Sequence, residues 1–262
     1  MIIAMAGLAI ITAGWPALAG PLRDRIRERM AERMGAGSNQ GTTPGGVEMA
    51  YGRDPLQRMD VWKAKSPAAP LILFVHGGGW KRGDKGNATG AFKAPHFTAQ
   101  GYAFASINYR LVPAATVEQE AAAAVSYVKA SAGALGVDAR RIILMGHSAG
   151  AHLVALVGTD PRYLADAGLS FADIAGVIPL DGAAYDVPAQ TKDGPQIMQA
   201  TYAQAFGGDA ARQKSLSPFH HATAPNAPAF LILHVDREDG TRQSEALGAA
   251  LRAAGSPVKL AR

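Results

Sequence analysis

Gly146-His147-Ser148-Ala149-Gly150 is the stretch whose residue types can carry covalent chemistry. A serine hydroxyl needs activation to attack, and flanking glycines let the chain turn sharply enough to present it. The apolar run "RIILM" (141–145) precedes this turn and the helical pattern "AHLVALVG" (151–158) follows it. Strand, sharp turn and helix together predict a nucleophile elbow with Ser148 as the nucleophile. The pentapeptide alone is weak, because an ordinary tight turn uses the same letters. A second motif strengthens it. "LILFVHGGGWKRGDK" (71–85) sets three glycines behind another apolar run. Consecutive glycines let backbone N–H groups face a developing oxyanion without side-chain obstruction. Gly78 and Gly79, joined by the N–H of Ala149, are the expected oxyanion hole. A phosphate cradle would carry Lys-Ser or Lys-Thr at its end, and "GWKRGDK" does not.

These motifs need a scaffold. "LILFV" (71–75), "YAFASIN" (102–108), "RIILM" (141–145), "IAGVIPL" (174–180) and "AFLILHV" (229–235) have the length and composition of buried strands. Between them lie helical stretches, the clearest over 117–132, where Val117, Ala121, Val125 and Val128 share a face and Gly133 can cap the end. Such alternation predicts an α/β fold, a doubly wound and mostly parallel sheet covered on both faces. Residues 181–228, rich in Pro, Gly and Ala, are expected to form a long irregular lid or rim. The globular domain is expected to start near Val47, after a Gly-rich linker (35–46) and a short amphipathic helix (21–35) with Ile26, Met30 and Met34 on one stripe.

Composition narrows the function classes. The sequence is 48% hydrophobic and 18% charged, which excludes disorder for the body of the chain. A net charge of +5 with no run of like charges argues against nucleic acid as a partner. Without cysteine there is no thiolate nucleophile, no disulfide and no cysteine metal site, and no metal or organic cofactor is implied. Residues 1–19, apolar through Trp15 and ending Ala17-Leu18-Ala19, read as a signal peptide cleaved before Gly20. The expectation is a periplasmic or secreted protein with no stable membrane association after cleavage.

With "HGGGW", "NYRL" (108–111) and "GHSAG", the sequence resembles the α/β-hydrolase esterases, in the branch of carboxylesterases, acetylesterases and formamidase-like hydrolases. The resemblance runs from about Tyr51 to the end of the chain. It implies Ser148 as nucleophile, an acid after the next-to-last strand and a histidine after the last, with His76 and His147 as scaffold. Relatives place an Asp seven residues before the Gln-Ser that opens the next helix. Asp236 stands in that relation to Gln243, so it is the expected acid; Asp239 is the alternative, with helix capping as its structural role.

The base has no such candidate. In this fold the triad runs Ser, Asp, His along the chain, yet the last of the seven histidines, His234, precedes both candidate acids. His152 is expected behind the elbow, pointing away, and His220 and His221 in a loop. Val258 and Leu260 open a strand near the end of the chain, so the sheet is expected to lack its last strand and helix. The resulting expectation is a serine hydrolase of small-molecule carboxylic esters, impaired because the catalytic histidine is absent. The same motifs would also fit formamidase-type amide hydrolysis or a catalytically silent binding protein.

Overall fold

In the computed structural model, the residues described are 45–86, 92–113 and 120–262. The expected signal peptide, amphipathic helix and most of the linker lie outside them. The first strand begins at Val47.

One sheet of eight strands organises the rest: β1 (Val47–Ala50), β2 (Arg58–Trp62), β3 (Ala69–Val75), β4 (Ala103–Ile107), β5 (Val137–His147), β6 (Gly176–Leu180), β7 (Phe230–Leu233) and β8 (Val258–Ala261). Their spatial order is β1-β2-β4-β3-β5-β6-β7-β8. β1 and β2 pair antiparallel, as do β2 and β4, and every later pairing is parallel. β3 is central and apolar on both faces. Leu71, Leu73 and Val75 enter the larger core, whereas Ile72 and Phe74 enter a second cluster with Trp62, Phe104 and Met145. A strand buried on both sides reads as a continuous hydrophobic run, which is why its sequence was legible.

Helices cover the two faces unequally. α1 (Lys93–Ala99) lies over the smaller cluster through Ala94. On the other face, α2 (Glu120–Ala130) buries Ala121, Ala124, Val125 and Val128. Of the helix expected over 117–132, residues 117–119 lie outside the described residues, and the described part stops at Ala130. A separate turn, α3 (Ala132–Leu135), follows, and the left-handed residue that ends it is Gly136, not Gly133. α4 (Ala149–Thr159) is buried at every position.

The stretch expected to be an irregular rim is largely helical. After α5 (Pro161–Asp166) and β6 come α6 (Val187–Asp193), α7 (Gln199–Phe206), α8 (Ala210–Ser215) and α9 (Pro218–His221). Asp186 and Asp209 cap two of these by accepting backbone N–H groups. Short capped helices with few apolar residues each give little periodic signal, so composition alone suggested a loop. α10 (Glu238–Ala253) then packs Leu247 and Leu251 into the core. The alternation at Val258 and Leu260 forms β8 in parallel register with β7 over its four residues. The strand that the sequence opens at Val258 and Leu260 is thus present at the edge of the sheet.

Helix and strand approach closely at Gly150, where an added Cβ would lie 2.1 Å from the Val75 carbonyl oxygen. Neither partner is a flexible side chain. Gly150→Ala is expected to cost about 3 kcal/mol of stability, read as a lowered urea midpoint at unchanged slope. Gly133→Ala, which meets nothing within 4 Å, should lose none.

Candidate active site

The parallel strands β3, β5, β6 and β7 all end at one edge of the sheet, and the chemistry-bearing residues collect there. Ser148 directly follows β5 with φ 54° and ψ −115°, a strained conformation for a non-glycine residue. Its amide donates to Leu180 O of neighbouring β6 at 2.9 Å, and its carbonyl accepts from Ala151 and His152 as α4 begins. Across the turn, a Cβ on Gly146 would stand 2.2 Å from Gly150 O. Both motif glycines are thus required by close backbone approach.

The "HGGGW" loop leaves β3 beside this turn. A Cβ on Gly77 would meet His147 O at 2.9 Å and Ser148 Cβ at 3.0 Å, so loop and elbow touch. Gly78, Gly79 and Trp80 all have positive φ (129°, 61° and 61°), a backbone course that turns the loop over at the cleft. "NYRL" braces it from behind. Asn108 accepts from the Lys85 amide and donates to Asp84, and the Tyr109 ring stacks on His76 at 4.4 Å. Arg110 pairs with buried Glu120, and Val112 N–H donates to Trp80 O. His76 is buried and its pKa is pushed down by that burial; it is loop scaffold.

A cleft of about 240 Å³ contains Ser148, Ala149, Gly79, Trp80, Arg237 and Asp239. Ala183, Pro195, Ile197, Met198 and Tyr202 complete its lining, so α7 and the segment before it form one side. The larger hollow of about 720 Å³ near Tyr51, Tyr127 and Tyr163 shares none of these residues.

The carboxylate brought to this cleft is Asp239, the alternative that the sequence offered, whereas the expected acid Asp236 does not line it. Asp236 is 85% exposed at its side chain and its partner is Arg262 at 3.8 Å. Counting residues back from Gln243 assumed a longer turn. Instead α10 starts at Glu238, which leaves Asp236 outside and buries Asp239 in the first helical turn. Asp239 accepts from Gln190 Nε2 (2.8 Å) and Arg237 Nε (2.7 Å). Burial opposes its ionisation, but these bonds and the Arg237 charge prevail and hold its pKa below the ordinary carboxylate value. Arg237 also reaches Asp181 at 3.3 Å, and Gln190 donates a second bond to Tyr202 Oη. Sequence reasoning singled out none of Arg237, Asp181, Gln190 and Tyr202. They come from separate segments, and no spacing pattern links them.

No histidine hydrogen-bonds Ser148 among the described residues, which include all seven. His152 is buried behind the elbow, bonded to Trp80 and to Leu216 O. His220 lies 3.5 Å from Asp186, and His221 bonds Ser215 O and lies 3.6 Å from Asp160. His234 contacts Thr241 and Val235 O. His147 is half-buried, its pKa lowered first by desolvation.

Residues 59–251 match the BD-FAE family. Esterase LipC of Mycobacterium tuberculosis is 30% identical over 205 residues, 72% of this chain and 50% of that protein. A probable isoprenylcysteine alpha-carbonyl methylesterase of Oryza sativa is 37% identical over 112 residues, 41% of this chain and 27% of its own length. The chain thus spans about half the length of LipC and less of the methylesterase. Among solved structures, native Thermogutta terrifontis esterase 2 superposes with a TM-score of 0.69 at 23% identity, covering 84% of this chain and 81% of its own. Esterase B of Lactobacillus rhamnosis gives 0.70 at 22% identity, covering 91% and 83%. These likenesses show the α/β-hydrolase fold. Among the described residues no helix is long and apolar enough to cross a membrane.

Burial pushes the His152 pKa down to about 4, below its ordinary 6.5. The unfolded chain then binds more protons between those values, so this histidine lowers stability as pH falls from about 6.5 and levels off below about 4. The loss it contributes is roughly 3 kcal/mol. Urea titrations at pH 7 and pH 4.5 should show a smaller pH-dependent difference for His152→Leu than for the parent chain.

Proposed function

Because the chain belongs to the BD-FAE family of α/β-hydrolase esterases, we propose that it is a carboxylic-ester hydrolase in which Ser148 is the nucleophile and Asp239 the acid. The observation that carries this reading is the strained Ser148 sharing one cleft with Gly79, Ala149 and a buried, doubly bonded Asp239. Ser148 Oγ attacks the ester carbonyl and gives its proton to a base, while the amides of Gly78, Gly79 and Ala149 receive the oxyanion. The base returns the proton to the leaving alcohol, and water then releases the acyl group. Two carboxylates, Asp181 and Asp239, surround the single Arg237 guanidinium, leaving a surplus negative charge that favours an imidazolium at this end of the cleft. The small, mainly apolar cleft suits short acyl esters. Solved forms of Thermogutta terrifontis esterase 2 hold propionate or butyrate.

No histidine within residues 1–262 hydrogen-bonds Ser148, so residues 1–262 by themselves are expected to turn over slowly. Removing one triad member leaves about 10³–10⁴-fold catalysis over water. The chain should therefore hydrolyse p-nitrophenyl acetate at about a thousandth or less of the rate of an intact triad, and Ser148→Ala should change that little. Added imidazole, small enough to enter the cleft, should raise the rate in the parent chain and not in Ser148→Ala. Asp239→Asn should lose most of this increment, and Asp236→Asn should keep it. A substantial rate without imidazole that Ser148→Ala abolishes would mean a resident histidine, His220 or His221 first, reaches the serine. An imidazole increment of equal size in Ser148→Ala would remove Ser148 from the chemistry.

Export remains part of the proposal, supported by the apolar run and Ala17-Leu18-Ala19. Protein recovered from periplasm or medium should begin at Gly20. Retention of Met1 on a cytoplasmic product would refute it.

A further inference from the structure

His152 follows Ser148 by one helical turn and is 2% exposed, yet it has no part in the reaction above. Burying an imidazole is unfavourable unless its nitrogens are satisfied. Here both are. Nε2 lies 2.8 Å from the Leu216 carbonyl oxygen, which can only accept, so Nε2 carries the proton and donates. Nδ1 is then the bare nitrogen, and it accepts the indole N–H of Trp80 at 3.3 Å. Since burial keeps the ring neutral, this tautomer persists at ordinary pH.

Trp80 forms part of the cleft lining beside Ser148, with φ 61°. Its ring meets Phe206 edge-on at 4.7 Å and Tyr202 at 6.3 Å. The indole is thus gripped by aromatic neighbours and tethered through its one donor to the helix that carries the serine. A side chain held at ring and nitrogen together cannot swing aside for a larger ligand. The leaving oxygen of an ester must face its proton donor, which the surplus negative charge draws to the Asp239 side. The acyl substituent is left with the Gly79–Trp80 side.

We propose that His152 is a positioning residue that fixes the Trp80 indole as the wall limiting acyl length at Ser148. This rests on the serine-hydrolase reading. The test uses the full chain carrying Ser148→Ala, which prevents turnover, and follows binding of methyl acetate, methyl butyrate and methyl octanoate by NMR. Butyl and octyl acetate probe the alcohol side. The parent should bind the short methyl esters and discriminate against methyl octanoate. Adding Trp80→Ala should improve methyl octanoate relative to methyl acetate by about tenfold or more and leave octyl acetate unchanged. Adding His152→Leu should move the Trp80 indole N–H resonance and give a smaller gain, with the Trp62 indole resonance in place as the sign of an intact fold. If His152→Leu fails to fold, the Trp80→Ala and Trp80→Phe profiles decide. An unmoved chain-length profile in Trp80→Ala, or an unmoved Trp80 resonance in folded His152→Leu, overturns the proposal. So does a gain confined to octyl acetate. If the parent binds no ester at all, the serine-hydrolase reading itself fails, a result distinct from binding without chain-length control.

Discussion

The laying of α4 against the bare backbone of β3 is the constraint on which the rest of the site depends. Gly150 stands where any side chain would strike the Val75 carbonyl, and Gly146 where one would strike Gly150 itself. With those two positions empty, the helix starts immediately after β5 and is buried along its length. The turn at Ser148 is sharp because strand and helix leave it no room to be otherwise. The "HGGGW" loop can then lie against the turn, and His152, a turn further on, comes under Trp80. Packing at backbone distance thus places serine, loop and wall in one operation.

Charge organises the other side of the cleft. Asp181 follows β6, Arg237 and Asp239 follow β7, and Gln190 and Tyr202 lie on α6 and α7. Hydrogen bonds and ion pairs run through all five. A buried carboxylate such as Asp239 is costly without partners, and removing one would leave the others exposed to that cost. The helices over the cleft and the first turn of α10, which carries Asp239, are therefore held to each other by polar contacts, whereas the Ser148 side is held by backbone packing and aromatic rings.

How much of this was legible follows from how far apart the signals lie. β3 and the core of β5 read directly as strands because both their faces are buried. β1 and β2 gave no such signal. β1 is largely exposed, and β2 contains Asp60, an acid buried against Lys85, which breaks the apolar run. Ser148 and the glycines were readable because each motif is local and its residues touch within a few positions. Which carboxylate lies in the cleft depended on the length of a turn, which spacing to Gln243 does not report; α10 starts at Glu238, and that brings in Asp239. Gln190, Asp181 and Arg237 meet by tertiary folding alone. His152 could be placed behind the elbow by helical periodicity, but its tautomer and its hold on Trp80 depend on Leu216, far along the chain.

The conformation of Ser148 has a consequence for how this chain came to keep it. A left-handed φ costs a residue with a Cβ on the order of 1–2 kcal/mol, and glycine would occupy the same turn without that strain. Mutation therefore has a stabilising way out at this position. Proteins sit close to the stability threshold, so a strained side chain without use is among the first features that drift erases. Serine at this turn therefore carries a backbone strain that glycine would not.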